Sequence, residues 1–318
     1  MTQATVSSRR PARCPSPWRD TAAAIDARLV RRLIAEQFPR YRALPVAAVV
    51  PGGHDNRTFR VGDSLCARLP SASRYASRPL IEHACLPRLA GHLPLPIPHP
   101  VALGAPGAGY LWHWTLNRWI RGKPATRANI RDLSGFARRL ASFLSALQGV
   151  DTAGAPAPGP ENFYRGGNLS TYAADTDRLL DRCRGRVDHH AALETWLLAL
   201  ESRWQADPVW VHGDIAPGNL LVRDGQLHAV IDFGQLAAGD PACDLTVAWT
   251  LLDQRSRTVF RAQLQPDELT WRRARGWALW KQLLALDAAE SAESRSAQRA
   301  RRAVRAIREI TTPPGRWC

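Results

Sequence analysis

Apolar residues recur at helical spacing over residues 25–38, where Leu29, Leu33 and Ile34 share a face and Pro39 stops the run. Three short β-type runs follow, 46–50, 57–61 and 65–69, parted by the turn signals Pro51-Gly52-Gly53 and Gly62-Asp63. Residues 79–89 read as a short helix with Pro79 in its first turn. The aromatic-rich stretch 110–120 (YLWHWTLNRWI) reads as strand and breaks at Arg121-Gly122-Lys123-Pro124. The period then changes. A long helix is expected over 130–150, a Gly/Pro/Ala loop over 151–160, and helical runs around 171–183 and 191–204. Short strands are expected at 209–211, 220–222 and 227–231, a helix starting at Asp240-Pro241, and further helices over 269–286 and 292–310. Strands first and helices afterwards predict an α+β, bilobal architecture. A small β-rich N-terminal lobe (21–119) would meet a larger, mainly helical C-terminal lobe (120–318) near Trp119, behind a disordered leader (1–20) rich in Ser, Arg and Pro.

Composition changes this picture little. The chain has 318 residues, 45% of them hydrophobic and 22% charged, as in ordinary globular proteins. No run approaches the roughly 20 apolar residues of a membrane span, and the polar, basic start lacks the apolar core of a secretory signal. A net charge of +15 raises nucleic acid as a partner. The charge is nearly all arginine, however, with Lys123 and Lys281 the only lysines, and it is spread along the chain. Its densest patch, 295–308, alternates arginine and alanine at helical spacing and is read as a solvated terminal helix, not a polyanion contact. Neither nucleic acid nor membrane is therefore expected as a partner. Six scattered cysteines with no C-x-x-C pair point to reduced thiols in a cytoplasmic protein.

The chemistry concentrates in VWVHGDIAPGNLLVRDGQLHAVIDFG, residues 209–234. Asp214 leaves a β-branched strand in His212-Gly213-Asp214 and is the candidate catalytic base for an acceptor hydroxyl. Asn219 supplies a neutral oxygen to a metal ion without adding charge beside Asp214. Asp232, at the end of an apolar run and before Phe233-Gly234, is the expected main Mg²⁺ ligand. A hairpin turning at Asp224-Gly225 would bring Asn219 and Asp232 together. His212 is read as packing to hold the loop. Asp240 is read as the N-cap of a helix with Pro241 at its first position. For Asp244, one turn later, bracing of the catalytic loop and simple solvent exposure both stay open.

The N-terminal half carries weaker signals. The segment 51–58, with Gly53 and Asn56, joins two strands in a form that can cover phosphates with backbone N–H groups. No lysine precedes Lys123, so Arg68 is the candidate cation for the phosphates; its pairing with Glu82 on the following helix is drawn by analogy with the strand–helix ion pair of kinases. Guanidinium differs from ammonium in its shape and its bidentate habit.

These motifs resemble the aminoglycoside phosphotransferase family, small-molecule relatives of protein kinases. The likeness rests on H-G-D-x-x-x-x-N at 212–219, I-D-F-G at 231–234, G-D-P-x-x-D-L at 239–245, G-G-x-D-N-R-T-F-R at 52–60 and A-R-L-P at 67–70, and runs from about 44 to 286. It implies a protein-kinase-like fold with ATP or GTP in the interlobe cleft near 110–120, against Arg118 and Trp119. It also implies Mg²⁺ and transfer of the γ-phosphate to a hydroxyl of a small molecule. An aminoglycoside-like antibiotic is the first acceptor implied, with antibiotic resistance left open as its role. A macrolide or a choline- or homoserine-like metabolite is the alternative, since the chain is basic where cationic substrates favour acidic pockets. Phe163, Tyr164, Trp249 and Trp277 are the aromatics available to line an apolar pocket, and core packing explains them equally well. From a different class, a silent nucleotide-binding scaffold would lack the base or a metal ligand, and all three are present.

Overall fold

The computed structural model describes residues 25–50, 52, 53, 55–289, 291 and 293–308. The leader expected over 1–20, Cys14, Cys318 and the end of the tail lie outside them. The first helix, α1 (Ala27–Gln37), starts where the Asp26 carboxylate accepts the Leu29 N–H at 2.8 Å and buries Leu29, Val30, Leu33 and Ile34. Strands β1 (Val46–Ala48), β2 (Asn56–Val61) and β3 (Leu65–Pro70) follow, then helix α2 (Arg78–Ala90) and strands β4 (Pro100–Gly104) and β5 (Trp114–Arg118). They form an antiparallel sheet in the order β1-β2-β3-β5-β4. Its inner face meets α1 in a core that includes Phe59, Leu69, Trp114 and Leu116.

Strand β4 was not expected. Its residues, PVALG, begin with a proline that cannot donate to a ladder, which suits an edge position, and its register slips between Pro100 and Ala102. The strand expected over 110–120 is shorter because Gly107 and Tyr110 close a turn of their own.

The second lobe contains β6 (Lys123–Pro124), α3 (Leu133–Gln148), α4 (Ala173–Arg182), α5 (His189–Leu200), β7 (Val209–Val211), β8 (Leu220–Arg223), β9 (Gln226–Val230) and β10 (Ala237–Gly239). Helices α6 (Val247–Thr250), α7 (Gln254–Leu264), α8 (Glu268–Asp287) and α9 (Arg295–Arg308) complete it. Two small sheets, β6-β8-β9 and β10-β7, lie against the helices. Asp224 and Gly225 turn β8 into β9 with φ of 53° and 76°, the left-handed pair of a type I′ turn. The helix expected from Asp240 is a 3₁₀ helix, Pro241–Thr246, running into α6. Helix α7 escaped the periodicity reading because its buried set is Ser256, Arg257 and Phe260, with one apolar residue among them. The helix read over 191–204 stops at Leu200.

The terminal helix is a correction. It is not simply solvated: Ala297, Ala300, Val304 and Ile307 form a buried stripe in the main core. Arg257 and Arg275 donate to the Ala306 and Ile307 carbonyls. Short alanine side chains hide such a face from a pattern search built on large apolar residues. The four described cysteines, Cys66, Cys85, Cys183 and Cys243, are free and buried. Among the described residues no helix is long and apolar enough to cross a membrane.

Strand β10 lies tight against the loop that precedes α4. A Cβ on Gly239 would stand 2.1 Å from the Gly166 carbonyl oxygen, backbone that cannot swing aside like a side chain. Gly239→Ala is expected to destabilise the protein by about 3 kcal/mol, the upper end for overpacking. Urea denaturation measures it, and a loss below about 1 kcal/mol would mean that the loop relaxes.

Candidate active site

Strand β7 runs directly into His212-Gly213-Asp214. His212 is fully buried; its Nδ1 accepts the Asp214 N–H at 3.1 Å and its Nε2 donates to the Ile231 carbonyl at 3.0 Å, which defines the tautomer. Its ring centre lies 4.5 Å from that of Phe233. Gly213 has φ of 81°, and a Cβ there would meet the Gln235 carbonyl oxygen at 2.3 Å, so backbone conformation and space both require glycine. Asp244 is 1% exposed, which excludes the solvent-facing reading. Its two oxygens accept the His212 N–H at 2.6 Å and the Gly213 N–H at 2.8 Å. Burial pushes the Asp244 carboxyl up, against the hydrogen bonds it accepts from the His212 and Gly213 N–H groups.

Asp240 sits one step further back and makes no hydrogen bond to the loop. It caps the 3₁₀ helix through the Ala242 N–H at 3.0 Å, and Arg273 donates to its carboxylate at 2.7 and 3.3 Å. It supports the segment that carries Asp244.

Asp214 has a partner that sequence reasoning missed. Lys281, on α8, places Nζ 2.9 Å from Asp214 Oδ1. Asn219 Nδ2 donates to the Asp214 carbonyl at 2.9 Å and to Oδ2 at 3.2 Å. Burial alone would raise the Asp214 carboxyl, but Lys281, with Arg165 beyond it, holds it down at about 2. The backbone of Asn219 accepts the Ile231 N–H at 2.9 Å, so the β8–β9 hairpin sets Asn219 beside the strand end that delivers Asp232. Asp232 has φ of 69°, unusual for a residue with a Cβ, and such strain costs on the order of 1–3 kcal/mol. That conformation turns the chain immediately before Phe233-Gly234.

Across the cleft, Arg68 on β3 donates from Nη1 to both Glu82 oxygens, at 3.2 and 3.3 Å, and from Nη2 to Asp232 Oδ1 at 2.6 Å. Burial pulls Arg68 toward neutrality, but Glu82 and Asp232 outweigh it and keep the guanidinium charged. A cavity of about 550 Å³ lies between the lobes and is lined by Gly53, Asn56, Arg68, Arg118, Trp119, Asn219 and Asp232, among others. Glu82 stands behind Arg68, outside the cavity wall, and Asp214 lies beyond Asn219 on the C-terminal side.

Two more cations went unread. Arg78, at the start of α2, is buried, pairs with Asp55, and stacks 4.5 Å from the Tyr75 ring and 5.0 Å from the Phe163 ring. Arg165 is 7% exposed, donates to Gln235 at 2.8 Å and lies over Trp280 and Trp277 at 4.9 and 5.3 Å. One signal could have found Lys281, as it is one of two lysines in the chain; nothing marked Arg78 or Arg165. Trp249 and Trp277 are buried core residues, while Tyr164 is exposed and Phe163 half-buried.

A family model described as the phosphotransferase enzyme family matches residues 46–283. Among solved structures, the GDP complex of aminoglycoside 2'-phosphotransferase-IIIa is 20% identical, with a TM-score of 0.65 over 89% of this chain and 98% of that one. An ADP-bound aminoglycoside phosphotransferase APH(2'')-Ib is 17% identical, with a TM-score of 0.54 over 90% and 97%. The macrolide 2'-phosphotransferase MphH from Brachybacterium faecium is 21% identical, with a TM-score of 0.57 over 92% and 99%. These likenesses concern the fold, which is that of the kinase-like phosphotransferases. No curated protein sequence matches the chain.

The Lys281–Asp214 pair has a pH signature. The folded carboxyl sits at about 2, below its ordinary 3.8, so the pair stabilises the fold above about pH 3.8 and loses its effect as pH falls toward 2. The stability gap between wild type and Lys281→Met, read by urea denaturation, is expected to be full above that window and to close within it. A gap unchanged down to pH 2 would assign Lys281 a packing role only.

Proposed function

This chain belongs to the phosphotransferase enzyme family, and from that premise we propose that it transfers the γ-phosphoryl group of ATP or GTP to a hydroxyl of a small molecule. One observation carries the reading. Asp214, Asn219 and Asp232 are gathered around one hairpin, beside an interlobe cavity whose other wall presents Arg68. Cavities of about 300–1,000 Å³ hold small ligands, and this one falls within that span.

Magnesium fits the donor set. Asn219 Oδ1 and Asp232 Oδ2 are hard oxygens without a hydrogen bond to any described residue. Mg²⁺ characteristically takes one or two carboxylates and completes its shell with phosphate oxygens and water. When bound, it would neutralise charge on the phosphates of the donor.

The chain's own groups then divide the work. Arg68 offers a cation toward the phosphates, and Gly53 and Asn56 bring the β1–β2 turn over the cavity. Arg118 and Trp119 wall the cavity where the lobes meet. The acceptor oxygen forms its bond to the γ-phosphorus as the bond to the bridging oxygen breaks, the nucleoside diphosphate leaves, and the hydroxyl proton passes to Asp214. A carboxylate held at about 2 is a weak base, so its main service is to orient the hydroxyl and to accept the proton late in a loose transition state. The motif resemblance implies an aminoglycoside-like acceptor. The cations beside Asp214 favour the alternative, a macrolide or a small metabolite.

Asp214→Asn is expected to lower kcat by about 10²–10⁴-fold with nucleotide affinity nearly unchanged. A nucleotide-consumption assay over aminoglycosides, macrolides and hydroxylated metabolites, with the phosphate located on the product, measures both. A drop of only a few-fold would remove Asp214 from this role.

A further inference from the structure

We propose that the acceptor of this enzyme presents neutral or anionic oxygens to the site and is not a polycation, a substrate class set by Lys281 and Arg165; the proposal rests on the reading of Asp214 as the group that meets the acceptor hydroxyl. Lys281 is already on Asp214 at 2.9 Å, so any acceptor hydroxyl that reaches Oδ1 arrives next to an ammonium group. Arg165 is the second cation. A Cβ on Gly213 would lie 3.0 Å from its own Cβ, which places Arg165 against the catalytic loop. Its Nε is spent on Gln235, its face rests on Trp280 and Trp277, and its buried Nη1 has no hydrogen-bond partner among the described residues. A buried guanidinium N–H without an acceptor is costly until an oxygen supplies one.

Three acids around the loop already have partners. Asp244 gives both oxygens to the His212 and Gly213 N–H groups. Asp240 is bound to Arg273. Asp175 holds the Trp280 indole N–H at 2.8 Å with one oxygen and Arg178 with the other. An acceptor carrying several ammonium groups would therefore meet two cations and no uncommitted carboxylate among these, and like charges brought together without compensation disfavour binding. Carboxylate, phosphate, hydroxyl or carbonyl oxygens would instead satisfy Arg165 and lie comfortably beside Lys281.

The test is the affinity of the full chain, loaded with magnesium and the non-hydrolysable nucleotide AMP-PNP, for three probes by isothermal titration. Kanamycin represents the polycation, erythromycin a mostly neutral oxygen-rich molecule with one amine, and gluconate an anionic polyol. Kanamycin is expected to bind at least about tenfold more weakly than the tighter of the other two. Arg165→Gln is expected to erase that preference by weakening the tighter probe, with AMP-PNP affinity as the check on folding; where that variant fails the check, Lys281→Gln carries the comparison. Kanamycin binding as tightly as the better of the others overturns the proposal, as does an absence of binding by all three at millimolar concentration. The expected ranking without phosphate transfer on addition of ATP would leave the acceptor class standing and remove the catalytic reading, so the two fail separately.

Discussion

A single carboxylate taken out of water organises the centre of this molecule. Asp244 spends both oxygens on two consecutive backbone N–H groups, those of His212 and Gly213, at 2.6 and 2.8 Å. Hydrogen bonds to a charged acceptor contribute about 1.5–3 kcal/mol each, enough to set against the cost of burying the acid. His212 extends the grip. Its ring takes the Asp214 N–H on one side and gives a proton to the Ile231 carbonyl on the other. The loop that carries Asp214 and the strand end that carries Asp232 are thus held together by one carboxylate and one imidazole. Asp240 and Arg273 fix the short helix from which Asp244 reaches.

The opposite lobe is tied to the same point by Arg68. A lysine in that place would offer one point charge, whereas the guanidinium fork reaches Glu82 through Nη1 and Asp232 through Nη2 at once. Arg68 therefore acts even without ligand present, because it joins strand β3, helix α2 and the start of the Phe233-Gly234 turn in one bridge. The left-handed backbone at Asp232 is sustained by that bridge and by the hairpin behind it.

What the sequence disclosed follows from the range of the interactions. The closeness of Asn219 to the end of β9 was legible because Asp224-Gly225 is a strong hairpin signal a few residues away. The two-lobed order was legible because the period of apolar residues changes after Pro124. Lys281 was not legible as a partner of Asp214, since 67 residues separate them and no local rule links α8 to the loop after β7. Arg165 and Arg78 were hidden in the same way. Buried arginines look in a sequence like any others of a basic chain, and their aromatic stacking exists only after folding. The stripe on α9 was missed for a different reason, as alanine packs well in a tight helix contact but carries little weight in a hydrophobic pattern. For Trp249 and Trp277 the sequence left ligand pocket and core packing equally open, and burial decides for the core.

The charges around Asn219 form a consistent arrangement. Two carboxylates near one amide would repel one another and push at least one toward protonation if nothing opposed them. Each has a cation of its own from a distant element, Asp232 with Arg68 and Asp214 with Lys281. For Asp214 the consequence is visible in a carboxyl held at about 2 despite burial. One cation comes from the N-terminal lobe and the other from α8; on the proposed function they would stand at the donor and acceptor ends of the phosphoryl path. Of the 43 Lys and Arg residues only two are lysines, and one of the two is on Asp214. An ammonium is the compact choice there, since it can stay on Asp214 Oδ1 and leave room for a hydroxyl, where the wider fork of an arginine would cover both oxygens.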